Sequence, residues 1–422
     1  MKDKGIKNLT ISLLIFATVT LVYFLISTAI EGYWIWSKGS IDFSVTGQFG
    51  DFVGGFLGTI INGAVFYFLY LTLNEQRKSS LRQSFETKLY DLIHLHRENI
   101  SELTYTNYYR ENLQTSNARK VFRVIVEEFI ECFHEVKHFT KMYPDIEILK
   151  PAFKIELAKI IKRNKCNESV EILALIDIAF CFFYYGLSKE SESILLHKFY
   201  NRYNPEFINR LKVFLRLKPK EENQDLFFEW KSFKEKNIKE KLEIFEEIFP
   251  NAGKSKLPTN CTKHKLHSNL SAYKYYGGHQ HRLGHYFRHL YQAFNFLSSQ
   301  DFLTADEKYY YGKTFRAQLS TYEQFMLFFN SLSSLGMAWE YTVVSKNNPD
   351  KKDLDDFKLI SRYNLIKNLP GSQYYDFTYR KFYPSVKFEY FKDITYSNRI
   401  SKNPIPKKGN NRNNKKAAAS NG

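Results

Sequence analysis

Two stretches of this chain carry no charged side chain: "LTISLLIFATVTLVYFLISTAI" from Leu9 to Ile30, and "FVGGFLGTIINGAVFYFLYLTL" from Phe52 to Leu73. Each is about the ~20 residues a helix needs to cross the hydrocarbon core of a bilayer. The other reading is a secretory signal peptide, with Ser27 and Ala29 near a cleavage site, followed by a buried core helix. Beyond Arg77 the pattern changes to apolar positions three and four apart, as on amphipathic helices. Leu81, Phe85, Leu89, Leu92 and Leu95 predict a helix over 74–99 that continues from the second apolar stretch. Val121, Ile125, Phe129, Phe133 and Val136 make the stripe of a second helix, capped at Asn117 and ending before Pro144. Further helices are predicted over 151–163, 169–185, 204–217, 225–248, 280–299, 305–333 and 353–367, with a loop at 249–260. Strands are expected only over 374–396, which is aromatic and β-branched with some alternation. The fold class is therefore mainly α: an N-terminal two-helix transmembrane hairpin followed by a large all-α domain.

Charge orients the hairpin. Lys2, Lys4 and Lys7 precede the first stretch, and Arg77, Lys78, Arg82 and Lys88 follow the second. The segment between holds one Lys against Glu31, Asp42 and Asp51. Basic flanks stay cytoplasmic, so both termini are expected inside, with Tyr33, Trp34 and Trp36 in an interfacial belt. The expected organisation is a cytosolic 1–8, spans at 9–30 and 52–73, an external loop at 31–51, a helical cytosolic domain at 74–400 and a basic tail without fixed structure at 401–422. Cys132, Cys166, Cys181 and Cys261 lack the paired spacing of a disulfide framework and suit a reducing compartment. The net charge of +17 includes six cations in the tail. It suits anionic lipid head groups or direct nucleic-acid binding, and a composition rich in Lys alone also produces it.

The second apolar stretch is entered through "GQFGDFVGGFLGTIING". On an α-helix Gly50, Gly54, Gly58 and Asn62 share one face, with Gly55 beside them. Small residues at that spacing let two helix backbones approach closely in lipid, which favours pairing within the chain or a homo-oligomer. Asp51 either complements the dipole at the start of the second span or lines a path, a ring of such acids being a feature of cation pores.

"GQFGDFVGGFLG" before a span, then "LNEQRKSSLRQSFETKLYDLIHLHREN", "YYGGHQHRLGHYFRHLYQAFNFL" and "FRAQLSTYEQFMLFFNSLSSLG" in this order, resemble the AbiC-like phage abortive infection family of bacterial membrane proteins. The resemblance implies antiviral defence by self-sacrifice or growth arrest at the inner membrane, with a phage-sensing partner such as a nucleoprotein complex. It implies no catalytic mechanism, and no cofactor is required.

Candidate chemistry concentrates between His264 and His289, which hold six of the eleven histidines. Cys261, His264 and His267 are three apart, and His281, His285 and His289 four apart, so either set could present imidazoles to a metal. Neither spacing matches a standard zinc module. Arg282 and His289, six residues between them, are similar to the short Arg–His pattern of HEPN-type ribonucleases. In such a site His289 would move the proton and Arg282 would stabilise phosphorane-like charge. The third reading places His281, His285, Arg288, Arg316 and Glu323 on the polar rim of amphipathic helices. There Arg282, Arg288 and Arg316 would pair with Glu323 or Glu340, or receive a ligand signal. Glu323 lies off the apolar stripe of Leu319, Tyr322, Phe325, Met326 and Phe329. No P-loop, nucleophile elbow or dinucleotide fingerprint occurs.

Overall fold

The computed structural model describes residues 2–31, 43–109, 112–249, 264–270, 275–341, 358–370, 375 and 377–389. Cys261, the aromatic belt at 33–36, the loop at 250–260 and the tail at 401–422 lie outside them. The chain divides into two compact units, Met1–Tyr90 and Asp91–Gly422.

In the first unit, α1 runs over Lys2–Ile30 and α2 over Phe43–Asp51. A π-helical turn, Phe52–Leu57, leads into α3, Gly58–Ser101. Residues 43–51, expected in a connecting loop, are therefore helical. The π turn also corrects the glycine register. Its hydrogen bonds run from i to i+5, so residues four apart no longer stack as Gly50, Gly54 and Gly58 would on a continuous α-helix. The contact of α1 with this turn is aromatic: Phe24 and Phe52 stack at 4.5 Å, and Phe52 and Phe56 at 5.5 Å. A Cβ added at Gly50, Gly54, Gly55 or Gly63 would meet nothing within 4 Å.

The second unit opens with the last turns of α3, from Asp91. An antiparallel hairpin follows, β1 (Thr104–Tyr109) paired to β2 (Asn112–Asn117) with Thr104 opposite Asn117. The sequence reading placed a helix cap at Asn117; that residue instead ends β2, and Ala118 precedes α4 (Arg119–Met142) at φ 52. The predicted stripe of α4 is buried throughout. Next come α5 (Pro151–Arg163), α6 (Val170–Tyr185), α7 (Lys189–Phe199) and α8 (Pro205–Leu217). Then follow α9 (Gln224–Glu235), α10 (Ile238–Ile248), α11 (Gln280–Ser298), α12 (Ala305–Arg316) and α13 (Thr321–Leu332). Short helices α14 (Leu359–Tyr363) and α15 (Tyr379–Phe382) end the described fold.

Helix α6 is apolar on nearly every face, which suits a central helix, and every residue from Leu173 to Phe183 is buried, Asp177 among them accepting the Tyr203 hydroxyl. It packs on α4 and α13 through Phe129, whose ring lies 5.6 Å from Phe180 and Phe183 and 4.4 Å from Phe329. Two helices predicted as continuous are split by caps. Asn237 accepts from Glu240 N, starting α10. Ser320 and Glu323 form a reciprocal capping box that starts α13. The strands expected over 374–396 do not appear among the described residues. Phe377, Tyr379 and Phe382 instead pack on Phe328 and Phe329 of α13 at 5.0–6.3 Å.

Gly278 is fixed by close approach. It sits at φ +90, and a Cβ there would lie 2.6 Å from the carbonyl oxygen of Tyr185. Gly186, at φ +79, meets Gly277 as closely. The backbones interlock through Leu187 N–H donating to Tyr276 O at 3.1 Å and His279 N–H donating to Tyr184 O at 2.8 Å. The two glycines of "YYGGHQH" thus dock the start of α11 on the end of α6.

Candidate functional site at helix α11

Helix α11 divides its polar residues between two environments. His281, His285 and Arg288 are exposed along one ridge, at i, i+4 and i+7. Burial first, then Arg282 and His279, lower the pKa of His281. The Nε of Arg288 donates back to Gly284 O at 3.1 Å. Neither it nor Arg282 pairs with Glu323 or Glu340, as the rim reading expected.

The other side faces a buried polar layer. Arg282 donates through Nε to Thr104 O at 3.0 Å and covers the Tyr105 ring at 4.5 Å. His289 Nε2 lies 2.9 Å from Leu92 O in the last turns of α3. Two turns apart on the helix, Arg282 and His289 thus engage different backbone carbonyls. Joint work on one phosphodiester needs both groups within reach of the same phosphate.

Glu323 is fully buried, where the sequence reading put it on a polar rim. The reason is its double duty. Its Oε2 accepts Ser320 N–H at 2.8 Å in the capping box. Its Oε1 accepts the Tyr286 hydroxyl at 3.2 Å and sits 3.5 Å from His96 Nε2, with Arg119 Nε 3.9 Å from Oε2. Burial pushes the Glu323 carboxyl up, but His96 and the Ser320 bonds outweigh it and hold the group below the ordinary carboxylate value. A charge is thereby retained inside the fold against the end of α3.

A second buried acid stands one step along. Glu128 of α4 accepts the Tyr105 hydroxyl at 2.7 Å and lies 3.1 Å from His279 Nε2. Burial raises its pKa, and the charge of His279 with the bonds to it more than compensates. Further along α4, Lys218, 1% exposed, bridges Glu131 at 2.7 Å and Glu135 at 3.1 Å under the Tyr275 ring.

The remaining predicted residues are dispersed. Arg316 is buried and donates to Tyr363 O at 2.8 Å and Asn364 O at 3.3 Å, which corrects its placement on the rim. His264 Nε2 lies 2.9 Å from Glu247, and His267 lies in the 3-10 turn Lys265–Leu270. Among the described residues no three His, Cys, Asp or Glu side chains converge as metal ligands. Asp51 is exposed at the last residue of α2, and Asn62 is exposed on α3.

Sequence reasoning missed His96, Arg119, Glu128, His279 and Tyr286. One local signal existed: Ser320-x-x-Glu323 is a capping-box pattern that assigns Glu323 to N3. His96 and Glu323 lie far apart in sequence, and no local pattern joins them.

Residues 278–347 match the family described as "Putative phage abortive infection protein". The matched segment starts at the glycine that docks α11 and runs through α12 and α13. No curated protein and no solved structure matches the chain. Over this segment the chain carries the AbiC-like likeness that its motifs suggested.

Proposed function

We propose that this chain is an abortive-infection effector of the bacterial inner membrane. In this reading the helical domain receives an infection signal, and the two N-terminal apolar helices, both termini inside, perturb the membrane as a homo-oligomer. One observation carries it. The segment with the family likeness supplies His289, Tyr286, Glu323 and Gln318, which hold the last turns of α3. That same helix carries the membrane-capable stretch: Gly54–Ser101 is long and apolar enough to cross a bilayer, and 11% of its apolar window is buried. A core helix of a soluble protein would be mostly buried. In α1, Ile15, Phe16, Val19 and Tyr23 are likewise 58–71% exposed, an apolar surface that calls for lipid or a partner. Leu14–Ile30 is the shorter apolar helix there, and its pairing with α3 as a hairpin belongs to this proposal.

The test is phage challenge of cells expressing the full chain, with a potential-sensitive dye and an RNA integrity gel read together. Depolarisation on infection with intact RNA is the expected result. RNA cleavage that vanishes in His289→Ala, without depolarisation, would instead establish the ribonuclease reading. A Cβ at Gly54 meets nothing within 4 Å, so Gly54→Leu should leave folding and insertion intact yet abolish depolarisation if the glycines of this turn seat a second copy. Full activity of that variant would refute these glycines as the assembly surface.

A further inference from the structure

We propose that Arg97 and Arg119 form a binding site for the phosphoryl group of a small phosphorylated ligand, read out at the end of α3. Arg97, in the last turns of α3, donates from Nε at 3.1 Å and Nη2 at 2.7 Å to the side-chain oxygen of Gln318. Arg119, the first residue of α4, donates from Nη2 to the backbone oxygen of the same Gln318 at 2.9 Å. Two guanidiniums therefore rest on one neutral residue. Their forks offer far more N–H donors than two carbonyl oxygens accept, in the planar geometry that grips phosphate.

Among the described residues no acid lies within hydrogen-bond distance of either guanidinium. Glu323 is the carboxylate at hand, 3.9 Å from Arg119 Nε, beyond hydrogen-bond distance. Its oxygens already serve Ser320 and Tyr286 and face His96. Arg119 keeps its side chain 53% exposed, and Lys120 beside it is exposed too. The start of α4 adds to the field: Ala118 provides no side-chain cap and the first turn holds no acid, so its N–H groups favour an anion. The favoured ligand is compact. Strand binding uses aromatic platforms beside the cations, and among the described residues neither guanidinium lies over an aromatic ring.

An occupant would draw both arginines from Gln318. Arg97 follows His96 on α3, and Arg119 shares Glu323 with His96, so occupancy bears on the contacts that hold that helix end. The binding itself is independent of the proposed function; only its relay toward the membrane rests on that reading.

The experiment is calorimetric titration of the full chain in detergent with inorganic pyrophosphate, at about 0.15 M salt, where distant surface charges are largely screened. One-to-one binding is expected. Arg97→Gln and Arg119→Gln should each weaken it about tenfold or more, with Arg97→Lys between them and the native chain, because lysine keeps charge without the fork. Lys239→Gln removes an equal charge from an exposed position on α10 and should change nothing. Gln318→Ala leaves both arginines in place, so retained or tighter binding separates loss of the site from loss of folding. Absence of pyrophosphate binding, equal affinity in the arginine variants, or equal weakening by Lys239→Gln would overturn the site. Tighter, arginine-dependent binding of a single-stranded RNA of about twenty nucleotides would overturn the compact ligand. Relay is read separately, as phage-induced depolarisation in Arg97→Gln cells.

Discussion

Glu340 follows the short turn after α13 and is buried, at 7% exposure. Its carboxylate accepts the backbone N–H of Ser361 at 3.0 Å and the Ser361 hydroxyl. Burial nevertheless dominates and raises its pKa from the ordinary 4.5 to about 7. The folded state thus holds a proton that the unfolded chain releases near pH 4.5. The stabilisation this provides is full below that value and is lost as pH rises through 7. A displacement of about 2.5 units at 1.36 kcal/mol per unit gives about 3 kcal/mol. Glu340→Gln keeps the shape and stays neutral at every pH. In denaturant titrations of the full chain, followed by the buried Trp339, the stability of the glutamine variant relative to the native chain should climb by about 3 kcal/mol from pH 4.5 to 8. Taking the difference removes titrations common to both proteins, including that of Glu323, whose lowered pKa acts in the opposite direction. A difference flat across that range would mean that Glu340 ionises normally and that the burial argument is wrong.

Two backbone predictions accompany it. Gly278→Ala places a Cβ 2.6 Å from the Tyr185 oxygen at a positive φ and should cost about 3 kcal/mol, seen as a lowered denaturant midpoint and loss of phage protection. Wild-type stability in that variant would mean that the α6–α11 junction yields freely. Ala118→Gly acts the other way: a non-glycine residue at φ 52, ψ −130 stores about 1 kcal/mol of strain, and glycine should recover it as a raised midpoint, whereas a lower one would place the strain elsewhere.

The legible parts of this fold were those with a local cause. The α4 stripe, the ends of α5 and the caps at Ser169 and Asn204 follow from spacing and hydrogen-bonding chemistry within a few residues. Helix α7 was passed over because its face is weakly apolar. It still carried start and stop signals: Ser188 caps Ser191 N, Glu190 and Glu192 lie in the first turn, and His197 and Lys198 in the last. The β1–β2 hairpin was missed because "TYTNYYRENLQTSN" alternates polar and aromatic residues without an Asn-Gly or Asp-Gly turn. Phe377, Tyr379 and Phe382, within the stretch expected to hold strands, misled in the opposite sense. Aromatic residues that favour strands equally suit a core, and there the rings of α13 took them up.

The candidate site was less legible because its chemistry is inverted relative to its pattern. Polar residues off an apolar stripe read as a solvated rim, yet Glu323, Arg316 and His279 are all buried. Such groups are stable inside only when paired, and each partner lies on a distant element: His96 on α3, the Tyr363 carbonyl at the end of α14, Glu128 on α4. The same physics bears on function. A buried charge tied to the end of a helix makes that end expensive to move while the pairing lasts, because release would strand the carboxylate in a poor solvent. The pairing of Glu323 with His96, Ser320 and Tyr286 is therefore a contact that the resting fold cannot give up without cost.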